Sequence, residues 1–131
     1  MTAGNPTVHE AGSLFPGSTN VDGGNPFDSP DGMMLDAEGP VWTRTDGDAS
    51  NEGESAGMGN DRMLAGVPAT GGIQRFMTGP NGSEVTGMAF SADRRAVVAG
   101  IRHPGRSVPD GAGLPRSAIV AIGKVDGAII A

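Results

Sequence analysis

Carboxylates at the starts of two strand-like runs are the residues of this chain best placed to do chemistry. Asp31 precedes Gly32 in Ser29-Pro30-Asp31-Gly32, and Glu84 precedes Val85 in Glu84-Val85-Thr86-Gly87. Asp46 and Asp48 follow the next run, residues 41–45. Carboxylate oxygens gathered in this way suit a hard cation such as Ca²⁺. Asp31 also fits a plain Pro-Asp-Gly turn, and the acidic stretch also fits solvated surface. A cationic group lies in Arg102-His103-Pro104-Gly105-Arg106. If Arg102 and Arg106 point the same way, their planar guanidinium groups match a phosphate, with His103 available as a ligand or proton donor. An ordinary exposed loop is the alternative. Neither His103 nor His9 belongs to a spaced metal-binding motif. Ser83 lacks the Gly-x-Ser-x-Gly surroundings of an activated serine, Asn81-Gly82-Ser83 reads as a turn, and Met33-Met34 reads as core filling.

These residues need elements to hold them, and an internal echo supplies the plan. Gly32, Leu35 and Ala37 recur 55 residues later as Gly87, Phe90 and Ala92, and the same step carries Leu64 onto Ile119 and Gly72 onto Gly127. Repeats of this period, built from short strands and Gly/Asp-rich turns, predict β-propeller blades. The fold class expected is all-β: two four-stranded blades forming a partial propeller that homo-oligomerisation completes. The domain plan is an N-terminal arm over 1–28, a first blade over 29–80 and a second over 81–131. Strands are expected at 33–36, 41–45, 62–67 and 73–77, then at 85–90, 96–101, 118–122 and 128–131. The near-continuous apolar runs at 96–98 and 118–122 read as strands covered on both faces. In a propeller the innermost strands line a central channel, so Asp31 and Glu84 are expected at one mouth of it.

Composition bounds the function. The 131 residues include 23 Gly and 10 Pro with only 4% aromatics, which favours many turns around a Val/Ile/Leu/Ala/Met core and marginal stability without assembly. A net charge of −6 and the absence of a basic stripe argue against nucleic-acid binding. No apolar run approaches the ~20 residues of a membrane span. With no cysteine, disulfides, thiolate metal sites and a cysteine nucleophile are all excluded. Residues 1–6 do not read as a signal peptide, and the sequence leaves localisation open. Rings of this type hold roughly four to eight blades, so two blades leave two apolar faces to be covered.

Several words recur in order that resemble the C-terminal part of the PhoX-type alkaline phosphatases, exported bacterial β-propeller enzymes. They are Ser29-Pro30-Asp31-Gly32, Thr45-Asp46-Gly47, Gly59-Asn60 with Met63-Leu64-Ala65, Phe76-Met77-Thr78-Gly79-Pro80, Glu84-Val85-Thr86-Gly87, His103-Pro104-Gly105 and Pro115-Arg116-Ser117-Ala118. The resemblance spans about residues 25–131. It implies a phosphomonoesterase with iron and calcium at the propeller mouth, although zinc or another divalent ion also fits. On this basis Glu84, Asp31 and Asp46 are the expected metal ligands, while the cationic cluster itself, apart from the resemblance, makes His103, Arg102 and Arg106 the expected catalytic groups. The partners implied are a small phosphate ester and further copies of the chain, a trimer if six blades close the ring. Periplasmic or secreted location follows from the resemblance alone. Two departures stand out: Ser83 where the family carries Cys, and Arg102 and Arg106 where it carries Gln and Glu. They support the competing expectation, a catalytically silent module that keeps the fold.

Overall fold

A computed structural model describes residues 27–47, 52–104 and 116–130. Among these described residues seven strands form two antiparallel sheets. The first has the order β1 (Pro30–Leu35), β2 (Val41–Thr45), β3 (Arg62–Val67) and β4 (Gly72–Thr78). The second has β5 (Glu84–Phe90), β6 (Ala96–Arg102) and β7 (Ala118–Gly123). Each sheet is a meander in which sequential strands are neighbours. A 3₁₀ turn, Gly53–Ser55, lies between β2 and β3.

Turn chemistry sets the strand limits. Asp36 closes the β1–β2 turn, its amide donating to Pro40 O at 2.8 Å while its own carbonyl accepts from Gly39 at 3.0 Å. Gly39 has φ +110°, a backbone state that side chains disfavour. Ser91 and Asp93 close the β5–β6 turn, with Ser91 Oγ accepting from the Ala96 amide at 2.9 Å and donating to Asp93 Oδ1 at 2.7 Å. The echoed glycines both mark β-bulges: the register shifts between Pro30 and Met33 in β1 and between Thr86 and Met88 in β5.

The echo changes phase inside the turns. Leu35 faces Val41 across the first hairpin, but Phe90 faces Val97 across the second, so the β5–β6 turn holds one extra residue. From β2 onward the structural step is therefore 56, with Gly66 opposite Val41 and Ile122 opposite Val97. Leu64 corresponds to Val120, and the expected pairing with Ile119 is corrected: a one-residue slip sends a side chain to the other face of a sheet. A second correction concerns the fourth strand of the second blade. Residues 128–130 form no strand, because a turn at Gly127 sends the chain across the β5–β6 turn. There Ile130 N donates to Arg94 O at 2.9 Å and Lys124 Nζ to Ile129 O at 2.6 Å. Among the described residues the second sheet has three strands.

The core lies between the sheets. Trp42 and Met63 from the first pack with Val85, Val97, Ala99 and Ile101 from the second, and Phe76, Met88, Phe90 and Val120 surround them. Trp42 meets Phe76 and Phe90 edge-on, with centroids 5.1 and 5.5 Å away. Its indole donates to Asp36 Oδ2 at 3.1 Å, and Arg94 clamps the same carboxylate with N···O distances of 2.6 and 2.7 Å. Arg94 also lies over the Phe90 ring, 4.4 Å from its centroid. Burial of Asp36 acts to raise its pKa, but the Arg94 hydrogen bonds, the Glu38 amide and the Trp42 indole outweigh it and hold the carboxyl below its usual range. The outward faces stay apolar. Met33 and Leu35 are 70% and 74% exposed on the first sheet, and Ile119 is 81% exposed on the second. A groove of about 290 Å³ between Phe27, Met33, Val41, Leu64 and Ile73 opens on that first face.

Of the expected arm, residues 1–26 lie outside the described residues; Phe27 and Asp28 are buried. Asp48, Arg106 and His9 also fall outside them.

Candidate functional site

Glu84 opens β5 and Arg102 closes β6, so the antiparallel ladder sets them opposite one another. Their side chains pair, with Arg102 Nη1 at 2.9 Å from Glu84 Oε2. His103 follows with φ +30°, an uncommon state for a residue with a side chain. That geometry brings His103 Nε2 to 3.6 Å from the same Oε2, while its amide donates to Ser117 Oγ at 3.1 Å. Glu84 is buried at 7% exposure, whereas the Arg102 and His103 side chains are 63% and 61% exposed. A sunken carboxylate thus carries an open cationic rim.

The first sheet brings its own carboxylates to this end. The Asp46 amide donates to Ser29 O at 3.0 Å, where Ser29 has φ +46°. By the repeat register, Ser29 and Asp46 hold the places that Glu84 and Arg102 hold in the second sheet. Asp46 has its pKa pushed up, by burial first and then by the charges of Glu84 and Asp31, while His103 and Arg102 act in the opposite direction. The five described candidates, Asp31, Asp46, Glu84, Arg102 and His103, therefore form one electrostatic neighbourhood; Arg106 lies outside the described residues. Ser83 turns away from such a role, since it is buried and its hydroxyl donates to Pro80 O at 2.8 Å.

Sequence reasoning missed a polar layer adjoining Asp46. Asp61 Oδ1 accepts from Thr45 Oγ1 and from the Gly47 amide, each at 2.7 Å, and Thr45 Oγ1 accepts from the Arg62 amide at 3.0 Å. Asp28 accepts from Ser55 Oγ. A Cβ on Gly47 would stand 2.7 Å from Asp28 Oδ1 and 3.3 Å from Asp61 Oδ1, so this layer requires glycine in Thr45-Asp46-Gly47. Burial raises the Asp61 pKa against the hydrogen bonds from Gly47 and Thr45, and Asp46 and Asp28 raise it further. Burial, then the charge of Arg75, lowers the Arg62 pKa to about 10 despite Asp28 and Asp61. The available signal was the run Asn60-Asp61-Arg62 at a strand start, where an aspartate can gather backbone amides.

Comparison with known proteins places this geometry. A family model described as alkaline phosphatase PhoX matches residues 1–105. The chain belongs to the PhoX family. A solved structure, Pseudomonas fluorescens PhoX in complex with vanadate, a transition state analogue, is 47% identical with a TM-score of 0.74, and the match covers 98% of this PhoX chain. It covers 23% of the relative, so the chain spans less than a quarter of that protein's length. No curated protein matched. The partial propeller expected from the repeat agrees with this likeness.

The cluster fits a metal ion in kind but not in number. Its donors are carboxylate oxygens, which suit hard cations. Among the described residues, however, no three His, Cys, Asp or Glu side chains come together closely enough to hold one. Glu84, the most buried donor of the group, already faces Arg102.

Proposed function

We propose that this PhoX-family chain is a phosphatase-derived module that contributes part of a metal-dependent phosphate-ester hydrolase site at the mouth of a propeller. The convergence of Glu84, Asp46 and Asp31 with Arg102 and His103 at one end of the two sheets supports this reading. Glu84, Asp31 and Asp46 would each be a candidate oxygen donor to a hard cation such as calcium or iron, but because the three do not come together closely enough to hold one ion, most of its ligands would come from groups beyond the described residues. A bound cation supplies electrostatic stabilisation of phosphoryl oxygens. Arg102 and Arg106 orient the anionic group by paired N–H donors, and His103, close to the surface, holds or donates a proton at Nε2. The uncovered sheet faces support closure of the ring by further blades, three copies of this chain giving six. Hydrolysis of an aryl phosphate by the purified protein with added Ca²⁺, Fe³⁺ or Zn²⁺, abolished by chelation, is the expected result. Absence of turnover under every metal condition overturns it.

The second reading, a silent structural module, draws on the same end of the molecule. A carboxylate neutralised by an arginine, without three clustered metal-binding side chains among the described residues, is what a relict site retains. Metal analysis of the native assembly separates the two readings.

A further inference from the structure

We propose that the second sheet carries a seat for a small organic phosphoryl anion, a hollow in which Arg102, Thr86 and Ser117 hold the oxygens and Ile119 packs the organic group. The choice of a phosphoryl group rests on the phosphatase-derived reading given above.

Strand register builds the seat. Thr86 stands opposite Gly100 and Gly100 opposite Ile119, so the three form one row across the outward face of the sheet. The next row toward the end of β6 has Glu84 opposite Arg102, and the ladder continued one residue before Ala118 sets Ser117 beside Arg102. A hollow of about 300 Å³ lies here, lined by Thr86, Gly100, Arg102, Ser117 and Ile119. Glycine opens it. A Cβ on Gly100 would overlap Thr86 Oγ1, so the hydroxyl stands where a side chain at position 100 would begin.

The first sheet shows what closes the same station. The step of 56 residues carries Gly100 back to Arg44 and Ile119 back to Met63, which face each other across β2 and β3. There the Arg44 guanidinium fills the row, lying where a Cβ on Gly32 would overlap it. The room in the second sheet therefore comes from glycine in place of arginine. Arg44 shares the inward face of Trp42 yet stays only part-buried, so a further blade stacked on the second sheet would leave the equivalent hollow within reach of solvent.

Polar donors converge on that room. Arg102 gives one N–H to Glu84 Oε2 at 2.9 Å, which orients the guanidinium while its other donors stay open on a side chain 63% exposed. Ser117 Oγ accepts the His103 amide at 3.1 Å, and neither its O–H nor that of Thr86 donates to an acceptor among the described residues. A planar fork with two hydroxyls suits a tetrahedral group with three outer oxygens better than a carboxylate, which offers two. Ile119, 81% exposed, supplies an apolar wall for an aryl or alkyl substituent.

Titration of the full chain, freed of metal on a chelating resin, with phenylphosphonate tests the seat by calorimetry and amide NMR shifts. The amides of Thr86, Gly100, Ser117 and Ile119 should shift together. Arg102→Gln and Arg102→Lys should each weaken binding roughly tenfold or more, since lysine restores the charge without the fork, and Thr86→Val should weaken it about two- to fivefold. Arg95→Gln makes the same change in net charge as Arg102→Gln, in the β5–β6 turn at the other end of β6, and should stay within about twofold. Full affinity in either Arg102 variant overturns the seat, as do shifts confined to other residues or an absence of binding. Should the Arg102 variants fail to fold, Thr86→Val and the shift map of the unaltered protein decide. Binding at the hollow without turnover under any metal condition supports the seat and sinks the hydrolase reading; turnover without shifts at the hollow does the reverse.

Discussion

At the scale of single residues, two sets of carboxylates pull in opposite directions with pH, the buried Asp36 on one side and Asp46 with the buried Asp61 on the other. Asp36 is held below its usual range, so its contribution to stability is present above the unfolded value of about 3.9 and is lost as pH falls through its lower folded value. Asp46 and Asp61 are pushed up, so theirs is present below about 3.9 and is lost as pH rises through their raised folded values. Without divalent cations, Asp46→Asn should therefore melt higher than the wild type at neutral pH, with the difference vanishing below about pH 4. Equal melting curves at pH 7 count against this account. Asp36→Ala removes the acceptor shared by Trp42 and Arg94 and should cost about 2–4 kcal/mol by denaturant unfolding. Glu84→Gln keeps the shape of the site but removes its buried charge. If the assembly turns over aryl phosphates, the rate should fall roughly a hundredfold or more, since each 1.36 kcal/mol is tenfold. Replacing Glu38, in the exposed β1–β2 turn, should leave that rate unchanged.

At the scale of elements, the single extra residue of the β5–β6 turn decides which faces meet. Deleting one residue from positions 92–93 should turn Val97, Ala99 and Ile101 away from Trp42, which the fluorescence of this sole tryptophan reports directly. Trp42→Ala, which empties the centre of the aromatic trio, should cost about 3–5 kcal/mol. The strands themselves were legible: 41–45 and 62–67 were bounded by turn residues and carry those limits in the structure. The phase slip was not legible, because the apolar runs of β6 and β7 do not alternate and either face reads the same. Nor was the missing fourth strand at 128–130, where the backbone bonds to the Arg94 turn replaced an expected ladder. Of the site, the carboxylates and the Arg-His pair could be picked out by type. Their union at Glu84 could not, since it depends on the bulge at Gly87 that sets Arg102 opposite Glu84. Asp28 and Asp61 were passed over because their role is to collect local N–H and O–H groups, which leaves no spacing rule in the sequence.

At the scale of the whole molecule, apolar side chains stand on both outward faces, and ring closure answers both at once. Light scattering at micromolar concentration should report an assembly larger than one chain, with three copies preferred, and Leu35→Glu or Ile119→Glu should reduce its mass while Trp42 fluorescence is kept. A well-folded monomer of the unaltered protein sinks the closure. The bridge between Asp36 and Arg94 carries a different consequence, one of time. Nearly all strand pairings here join neighbours in sequence, so each sheet can form early from short loops, whereas this bridge spans 58 residues and can close only after both turns exist. It belongs to the late side of the folding barrier. Weakening it with Arg94→Gln should accelerate unfolding in a stopped-flow chevron while leaving the refolding limb nearly unmoved, and the two sheets would then part company sooner without forming any more slowly.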